Sequence, residues 1–258
     1  AIENIITRTL QSIPHVAEDF FLHNELWHSF DFHSDMSCTS LKESISLANT
    51  QQTLLYDTLH RANFCFLTLG TAWVYIYNST DRIVANCHKL PQQHFSKRLL
   101  SIEEIGESLI RIAQLLKQIN PSIHLVITIS PVRHIKDGFL ENQVSKSQLF
   151  SALYPLITSG YYTYFPAYEL LLDELRDYRF YANDMVHPSE MAINYIWERL
   201  VATYIDTATQ MDMKQAESIQ KALLHRPFKP DTEKHQQFLV QLQQKMEVFT
   251  MKYPHIKF

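Results

Sequence analysis

The sequence lacks paired cysteines and an excess of positive charge. Its three cysteines, Cys38, Cys65 and Cys87, lie far apart without a Cys-x-x-Cys pair, which argues against a disulfide framework and a zinc ribbon. The pattern fits a reducing compartment and favours a cytoplasmic location. The formal net charge is −4, whereas nucleic-acid-binding domains normally carry a basic excess. We therefore expect no nucleic-acid partner.

Long apolar runs and glycine are also scarce. No run approaches the roughly 20 apolar residues of a membrane helix, so no membrane span is expected. Only four glycines occur in 258 residues, so each is a candidate for a turn or a close backbone approach. The first residues, AIENIITRTLQSI, contain neither an initiator Met nor a signal-peptide pattern and predict a helix already under way. We therefore expect that a segment precedes them.

Apolar runs and amphipathic segments alternate through the first two thirds of the chain. FCFLTLG, HLVITIS and YYTYFPAYEL predict three strands, and the apolar continuity of the first two indicates strands that are covered on both faces. Helices are predicted from about Ser40 to Ala62, from Ser101 to Asn120 and from about Ser145 to Leu156, the second with a capping box. The alternation predicts an α/β domain with a mostly parallel sheet. Ligands of such sheets bind beyond the carboxyl ends of the strands.

The last fifty residues differ in character from the rest. MDMKQAESIQKALL and TEKHQQFLVQLQQKMEVFTM are rich in Gln and Lys and are separated by RPFKPD. They predict a helical hairpin without a catalytic role. We therefore divide the chain into an α/β domain over residues 1–205 and a helical extension over residues 206–258.

Asp184-Met185-Val186-His187-Pro188 is the motif most indicative of chemistry. In a D-x-x-H spacing the carboxylate can hydrogen-bond the imidazole and leave the other ring nitrogen free as a general base. Asp57 and His60 share the spacing but fall inside a predicted amphipathic helix. Asp184 and His187 fall in a loop after the last predicted strand, where functional residues are common. The alternative is that Asp184 only orders the loop and His187 is a packed histidine.

Two positions are candidates for stabilising an oxyanion. Gly70 ends the first apolar strand, where its N–H can donate to a ligand or the residue can simply form a turn. Asn86 offers an amide donor that stays neutral. Cys87-His88 suggests a thiolate pair, but adjacent residues on an extended segment point apart, which disfavours this nucleophile.

Arg133 and His134 follow the second strand in SPVRHIKDG. They can contact an anionic or carbonyl group of a substrate, or they can form a solvated turn. The N-terminal histidines lack the alternation that would place them on one strand face, so no metal site is predicted, and no residue pattern predicts a cofactor.

The segments GTAWVY, NCHK, SPVRHIKDG and ELRDYRFYANDMVHPS resemble the GSCFA family from the first helix to about Leu200. That family is largely bacterial and is similar to the SGNH (GDSL-type) hydrolases. The resemblance implies a three-layer α/β/α sandwich of SGNH or flavodoxin type, with His187 as general base and Asp184 as its orienting carboxylate. It also implies an oxyanion donor at Gly70 and suggests Asn86 as the amide donor, although the spacing of these two differs from the usual G-x-N-D.

The stretch that names the family, Gly-Ser-Cys-Phe-Ala, does not occur in this chain. Ser37-Cys38 imitates it but follows Met36 and no buried strand. The resemblance therefore implies that the serine nucleophile and its strand lie outside the chain. Two functions remain: an SGNH-like hydrolase or acyltransferase that acts on an acyl ester, either a small molecule or a glycan, and a non-catalytic ligand- or protein-binding module that keeps the pocket.

Overall fold

The computed structural model describes residues 1–227 and 231–258. They form two compact units, Ala1–Ile193 and Asn194–Phe258. The helices in the described residues are α1 (Ile2–Leu10), α2 (Leu41–Arg61), α3 (Ile102–Ile119), α4 (Phe139–Thr158), α5 (Ala167–Glu169), α6 (Glu190–Tyr204), α7 (Thr207–Leu224) and α8 (Glu233–Lys252). The strands are β1 (Phe21–His23), β2 (Leu26–His28), β3 (Phe64–Leu69), β4 (Trp73–Tyr77), β5 (Arg82–Val84), β6 (Phe95–Leu99), β7 (His124–Ile129) and β8 (Thr163–Tyr164).

The three predicted strands form one parallel sheet in the order β3-β7-β8. Phe64 pairs with His124 and Leu69 with Ile129, so β3 and β7 end level with each other. The prediction of a parallel sheet is confirmed. As a result, the residues that follow β3, β7 and β8 meet at one edge of the sheet, which we call the carboxyl edge.

The main core joins the central strand to two long helices. Five of the six residues of β7 are buried, because strand neighbours flank it on both sides. The side chains that complete this core come mainly from α3 and α4: Ile105, Leu109, Ile112, Leu116, Leu149, Leu153 and Leu156. Ser101 begins α3 with the predicted capping box, in which its Oγ accepts from the Glu104 N–H and the Glu104 carboxylate accepts from the Ser101 N–H.

Strand β3 differs from its prediction. It is an edge strand of the described sheet, and its residues alternate in exposure, with Phe64 45% and Phe66 43% exposed. The expectation of burial on both faces was therefore wrong for β3, although it holds for β7. An apolar run indicates that a strand can be buried on both faces, but the position of the strand in the sheet determines how much of it is buried.

A second, antiparallel sheet with the order β5-β4-β6 follows the carboxyl end of β3 and was not predicted. The N-terminal FFLHNELWH segment forms the antiparallel hairpin β1-β2. Ser29 and Asp31, which follow the hairpin, are both buried. Helix α4 begins at Phe139, earlier than predicted, because Gly138 takes a positive φ of 124° and forms its N-cap.

The second unit contains the predicted helical hairpin, α7 and α8, around Ile219, Leu242 and Phe249. Lys252 and Tyr253 at the end of α8 bond the Asp212 carboxylate of α7. Within the connecting segment RPFKPD, residues 228–230 lie outside the described residues. Among the helices of the described residues, none combines the length and the hydropathy needed to cross a membrane.

Candidate active site

The D-x-x-H motif lies in a closed loop, Tyr181–Pro188, which we call the DxxH loop. An antiparallel bridge joins its two end residues. Met185 takes a left-handed conformation with φ 58°, and its N–H donates to Ala182 O at 2.9 Å. These backbone constraints fix the loop before any side chain is considered.

Asp184 is held by the backbone of its own loop and by His187. Its Oδ1 accepts from the N–H groups of Val186 (2.9 Å) and His187 (3.0 Å). Its Oδ2 lies 2.6 Å from His187 Nδ1. The spacing of the motif predicts this side-chain bond, and the structure contains it.

The electrostatics of the pair fix the histidine tautomer. The backbone bond from His187, the side-chain bond from His187 and the backbone bond from Val186 together lower the pKa of Asp184 to about 2. An ionised carboxylate only accepts hydrogen bonds, so His187 Nδ1 carries the proton and Nε2 is left as an acceptor. Because the two side chains are 61% and 50% exposed, the pair contributes little to stability. Its effect is to orient the imidazole.

Arg133 attaches the DxxH loop to the carboxyl edge of the sheet. Its N–H donates to Val186 O at 3.3 Å, and its guanidinium group lies 3.4 Å from Met185 O. The guanidinium carbon lies 4.2 Å from the ring centroid of Tyr181, a cation–π contact that holds the planar group in place. His187 is therefore positioned beside the end of β7.

His134 connects Gly70 with the same region. A Cβ on Gly70 would lie 3.1 Å from His134 Nε2, so a glycine allows the imidazole to approach the end of β3 closely. Burial lowers the pKa of His134, and the charges of Lys146 and His187 act in the same direction. These effects favour the neutral imidazole of His134. Its backbone N–H donates to Asn142 Oδ1 at 2.8 Å, which fixes the segment.

Lys146 was missed by the sequence reasoning. Its Nζ donates to Gly70 O at 2.7 Å and to Ser130 O at 2.6 Å, and the residue is only 3% exposed. It therefore joins the carboxyl ends of β3 and β7. Burial lowers the pKa of Lys146 to about 8, so the ammonium form still predominates at pH 7.

A pattern in the sequence marks this lysine. Lys146 falls within the buried stripe of α4, whose other members recur at helical spacing: Asn142, Ser145, Leu149, Ala152, Leu153 and Leu156. A lysine in such a stripe needs partners for its charge, because an unpaired buried ammonium is costly. The helix predicted from Ser145 to Leu156 already contains this stripe apart from Asn142, so the signal was present in the sequence and was not used.

Asn86 lies after β5 and contacts the N-terminal part of the chain. Its Nδ2 donates to Ser34 Oγ at 3.4 Å, and its Oδ1 accepts from the His88 N–H at 2.9 Å. Its backbone N–H lies 3.4 Å from Phe30 O. Within the described residues, no hydrogen bond joins Asn86 to the DxxH loop or to Gly70. Its role as an amide donor stays a prediction.

The thiolate alternative receives no support from the surroundings of Cys87. Burial raises the pKa of this thiol, with Lys136 opposing the rise, so the protonated form is favoured. The His88 ring bonds elsewhere, with Nε2 2.7 Å from Ser29 O and Nδ1 3.3 Å from Ser34 Oγ. Over the residues that the structure describes, no group of three or more His, Cys, Asp or Glu side chains is arranged to hold a metal ion.

A second serine–histidine contact was also missed. Ser37 Oγ lies 2.7 Å from His28 Nδ1, and His28 Nε2 lies 3.1 Å from His23 O. The carbonyl only accepts, so Nε2 carries the proton and Nδ1 accepts from the Ser37 hydroxyl. The Ser37 hydroxyl is therefore hydrogen-bonded to a histidine other than His187.

Two family models match the chain. The model described as the GSCFA family matches residues 1–200, and the model described as the GSCFA domain protein, C-terminal domain, matches residues 216–258. Comparison with curated proteins and with solved structures finds no match in either set.

Proposed function

We propose that this chain, which belongs to the GSCFA family, forms the base and oxyanion side of an SGNH-like serine hydrolase or acyltransferase. The substrate is an acyl ester on a small molecule or a glycan. The fold of this proposal is the three-layer α/β/α sandwich of SGNH enzymes around the parallel sheet. The observation that carries the proposal is the 2.6 Å bond between Asp184 and His187 Nδ1, in a loop tied to the carboxyl edge by Arg133.

In this mechanism His187 acts as general base. Its Nε2 takes the proton of a serine hydroxyl while the serine oxygen forms a bond to the acyl carbon. The carbonyl π electrons move to oxygen and return as the alcohol leaves, and the alcohol takes the proton from Nε2. Water or an acceptor alcohol then reacts with the acyl-enzyme by the same steps. Asp184 stays ionised and stabilises the imidazolium throughout.

The proposal assigns the oxyanion to the Gly70 N–H and the Asn86 amide, since preorganised neutral donors stabilise developing negative charge. The serine in this proposal lies outside residues 1–258. Among the described residues no serine or threonine hydroxyl bonds to His187, whereas Nδ1 is held by Asp184. The exposure of the imidazole, 61% for its side chain, is compatible with a hydroxyl that approaches from elsewhere.

The test is hydrolysis of p-nitrophenyl acetate by the natural full-length protein. His187→Ala should reduce kcat by at least about a hundredfold, which is the lower range for loss of a general base. The exposed His94 provides the control, and His94→Ala should leave the rate unchanged. If turnover persists undiminished in His187→Ala, the hydrolase mechanism is wrong and the chain is a binding module.

Labelling of the same protein with a fluorophosphonate locates the nucleophile. Mapping of the labelled peptide should place the phosphonate on a serine outside residues 1–258, and His187→Ala should suppress labelling. If the label is instead on Ser37 and is lost in His28→Ala, the general base is His28, and the assignment of His187 is wrong.

A further inference from the structure

A cavity of about 300 Å³ opens at the end of β7, beside the DxxH loop. Its polar lining comes from Arg133, Asn142, Gln143, Lys146, Tyr168 and Tyr178. The remaining lining is apolar and includes Val132, Phe139 and Leu172. Among the described residues, two cations and no carboxylate line the cavity.

Arg133 is held in a way that leaves hydrogen-bond donors available. Its guanidinium carbon lies 4.2 Å from the Tyr181 ring centroid and 5.5 Å from that of Tyr178. The side-chain bond recorded for it, to Met185 O at 3.4 Å, uses one of its five N–H donors. Across residues 1–227 and 231–258, no Asp or Glu forms an ion pair with Arg133. A stacked guanidinium with free edges is suited to bidentate recognition of a carboxylate.

Lys146 places a second positive charge in the lining. Its two recorded partners, Gly70 O and Ser130 O, are neutral carbonyl groups. In the part of the chain that the structure describes, Lys146 has no carboxylate counter-ion. Glu169 accepts from the Tyr164 hydroxyl at 2.9 and 2.7 Å and does not line the cavity. Within the described lining, no carboxylate therefore balances the positive charges of Arg133 and Lys146.

We propose that this cavity binds the carboxylate end of the acyl group, so that the substrate is an ester whose acyl chain terminates in a carboxylate. The apolar lining accommodates the chain, and Arg133 and Lys146 bind the anionic end. Arg133 also bonds Val186 O and lies 3.4 Å from Met185 O, so one lining residue of the cavity contacts the loop that carries His187. The link to ester turnover rests on the proposed function, whereas carboxylate binding does not.

The first experiment measures binding without turnover. Isothermal titration calorimetry of the full-length protein at pH 7 compares hexanoate with hexanamide, which have the same chain length and differ in charge. The protein should bind hexanoate at least about tenfold more tightly, the factor that one charge-assisted hydrogen bond supplies. Arg133→Gln and Lys146→Met should each remove most of this preference.

Arg179→Gln is the matched control for the loss of one positive charge. Arg179 is exposed, pairs with Asp177 at 3.0 Å and does not line the cavity, so its variant should keep the preference for hexanoate. Circular dichroism and melting temperature establish that each variant is folded. Equal affinity for the two probes in the unmodified protein would overturn the proposal, as would a preference that survives in folded Arg133→Gln and Lys146→Met.

The second experiment compares kcat/KM for mono(4-nitrophenyl) adipate and 4-nitrophenyl hexanoate. The anionic ester should be preferred by about tenfold or more, and Arg133→Gln should abolish the preference mainly through KM. A preference for hexanoate in the binding experiment without turnover of either ester would refute the hydrolase and leave the carboxylate site standing. Turnover of both esters at equal kcat/KM, without a binding preference, would refute the carboxylate site alone.

Discussion

Lys146→Met tests whether burial at the carboxyl edge destabilises the charged form of Lys146. Methionine has a similar length, lacks the charge and cannot donate to Gly70 O and Ser130 O. Those carbonyl groups would lose donors that now lie at 2.7 and 2.6 Å. An unsatisfied buried acceptor costs about 1–3 kcal/mol.

Removal of the charge acts in the opposite direction. Burial lowers the pKa of Lys146 from 10.5 to about 8, which means that folding disfavours the ammonium by roughly 3 kcal/mol relative to the neutral amine. At pH 7 the free energy lost by leaving two carbonyl groups without donors is thus similar in size to the free energy gained by no longer burying an ammonium. We expect Lys146→Met to change the unfolding free energy by at most about 3 kcal/mol at that pH.

The dependence on pH separates the two contributions. Between pH 8 and 10.5 the unfolded chain keeps the lysine proton while the folded chain has released it, so the stability of the folded protein rises with pH. The penalty for burying the charge is complete below pH 8 and disappears above 10.5. The unfolding free energy of the natural protein minus that of Lys146→Met should therefore increase by up to about 3 kcal/mol across this window.

Urea denaturation at pH 7, 8, 9 and 10 measures this difference. Subtracting the unfolding free energy of the variant at each pH cancels the contribution of titratable groups that both proteins contain. Lys42 lies exposed on α2, and Lys42→Met is the control for removing a lysine that is not buried. A difference for Lys146→Met that does not rise with pH more than that of Lys42→Met would refute the conclusion that the Lys146 ammonium is desolvated.

Two further predictions concern the DxxH loop and the start of α4. In a carbon-13 NMR titration, the Asp184 carboxylate should remain ionised down to about pH 2. In His187→Ala its pKa should still lie below the ordinary value of 3.8, because the backbone N–H bonds remain. A pKa at or above 3.8 in the natural protein would contradict these hydrogen bonds. Gly138→Ala should lower the unfolding free energy by about 2–3 kcal/mol, because φ +124° with ψ 162° is a conformation that essentially only glycine adopts, whereas the Glu141 side chain beside the new Cβ can rotate away. Gly160→Ala, with φ +76° and nothing within 4 Å, should cost about 1 kcal/mol, and equal losses in the two variants would contradict the larger backbone strain expected at residue 138.

Features that depend on residues close together in the chain could be predicted from the amino-acid sequence. The bond from Asp184 to His187 spans three residues, so the spacing and the loop context are enough to predict it. The alternation of strands and helices predicted the parallel sheet that β3, β7 and β8 form, because a helix between two strands returns the chain to run in the same direction. The capping box of α3 likewise lies within four consecutive residues.

The residues that meet at the carboxyl edge from distant parts of the chain could not be predicted from the sequence. Lys146 bonds Gly70 O across 76 positions and Ser130 O across 16, and no local pattern specifies those partners. The exposure of β3 depends on its place at the edge of the described sheet. Asn86 was grouped with Gly70 by resemblance, yet its recorded partners are Phe30, Ser34 and His88. The spacing of apolar residues indicates which face of a helix or strand is buried. Which side chains then face each other depends on how the segments pack, and this packing brings Arg133 and Lys146 to one cavity without a carboxylate in its described lining.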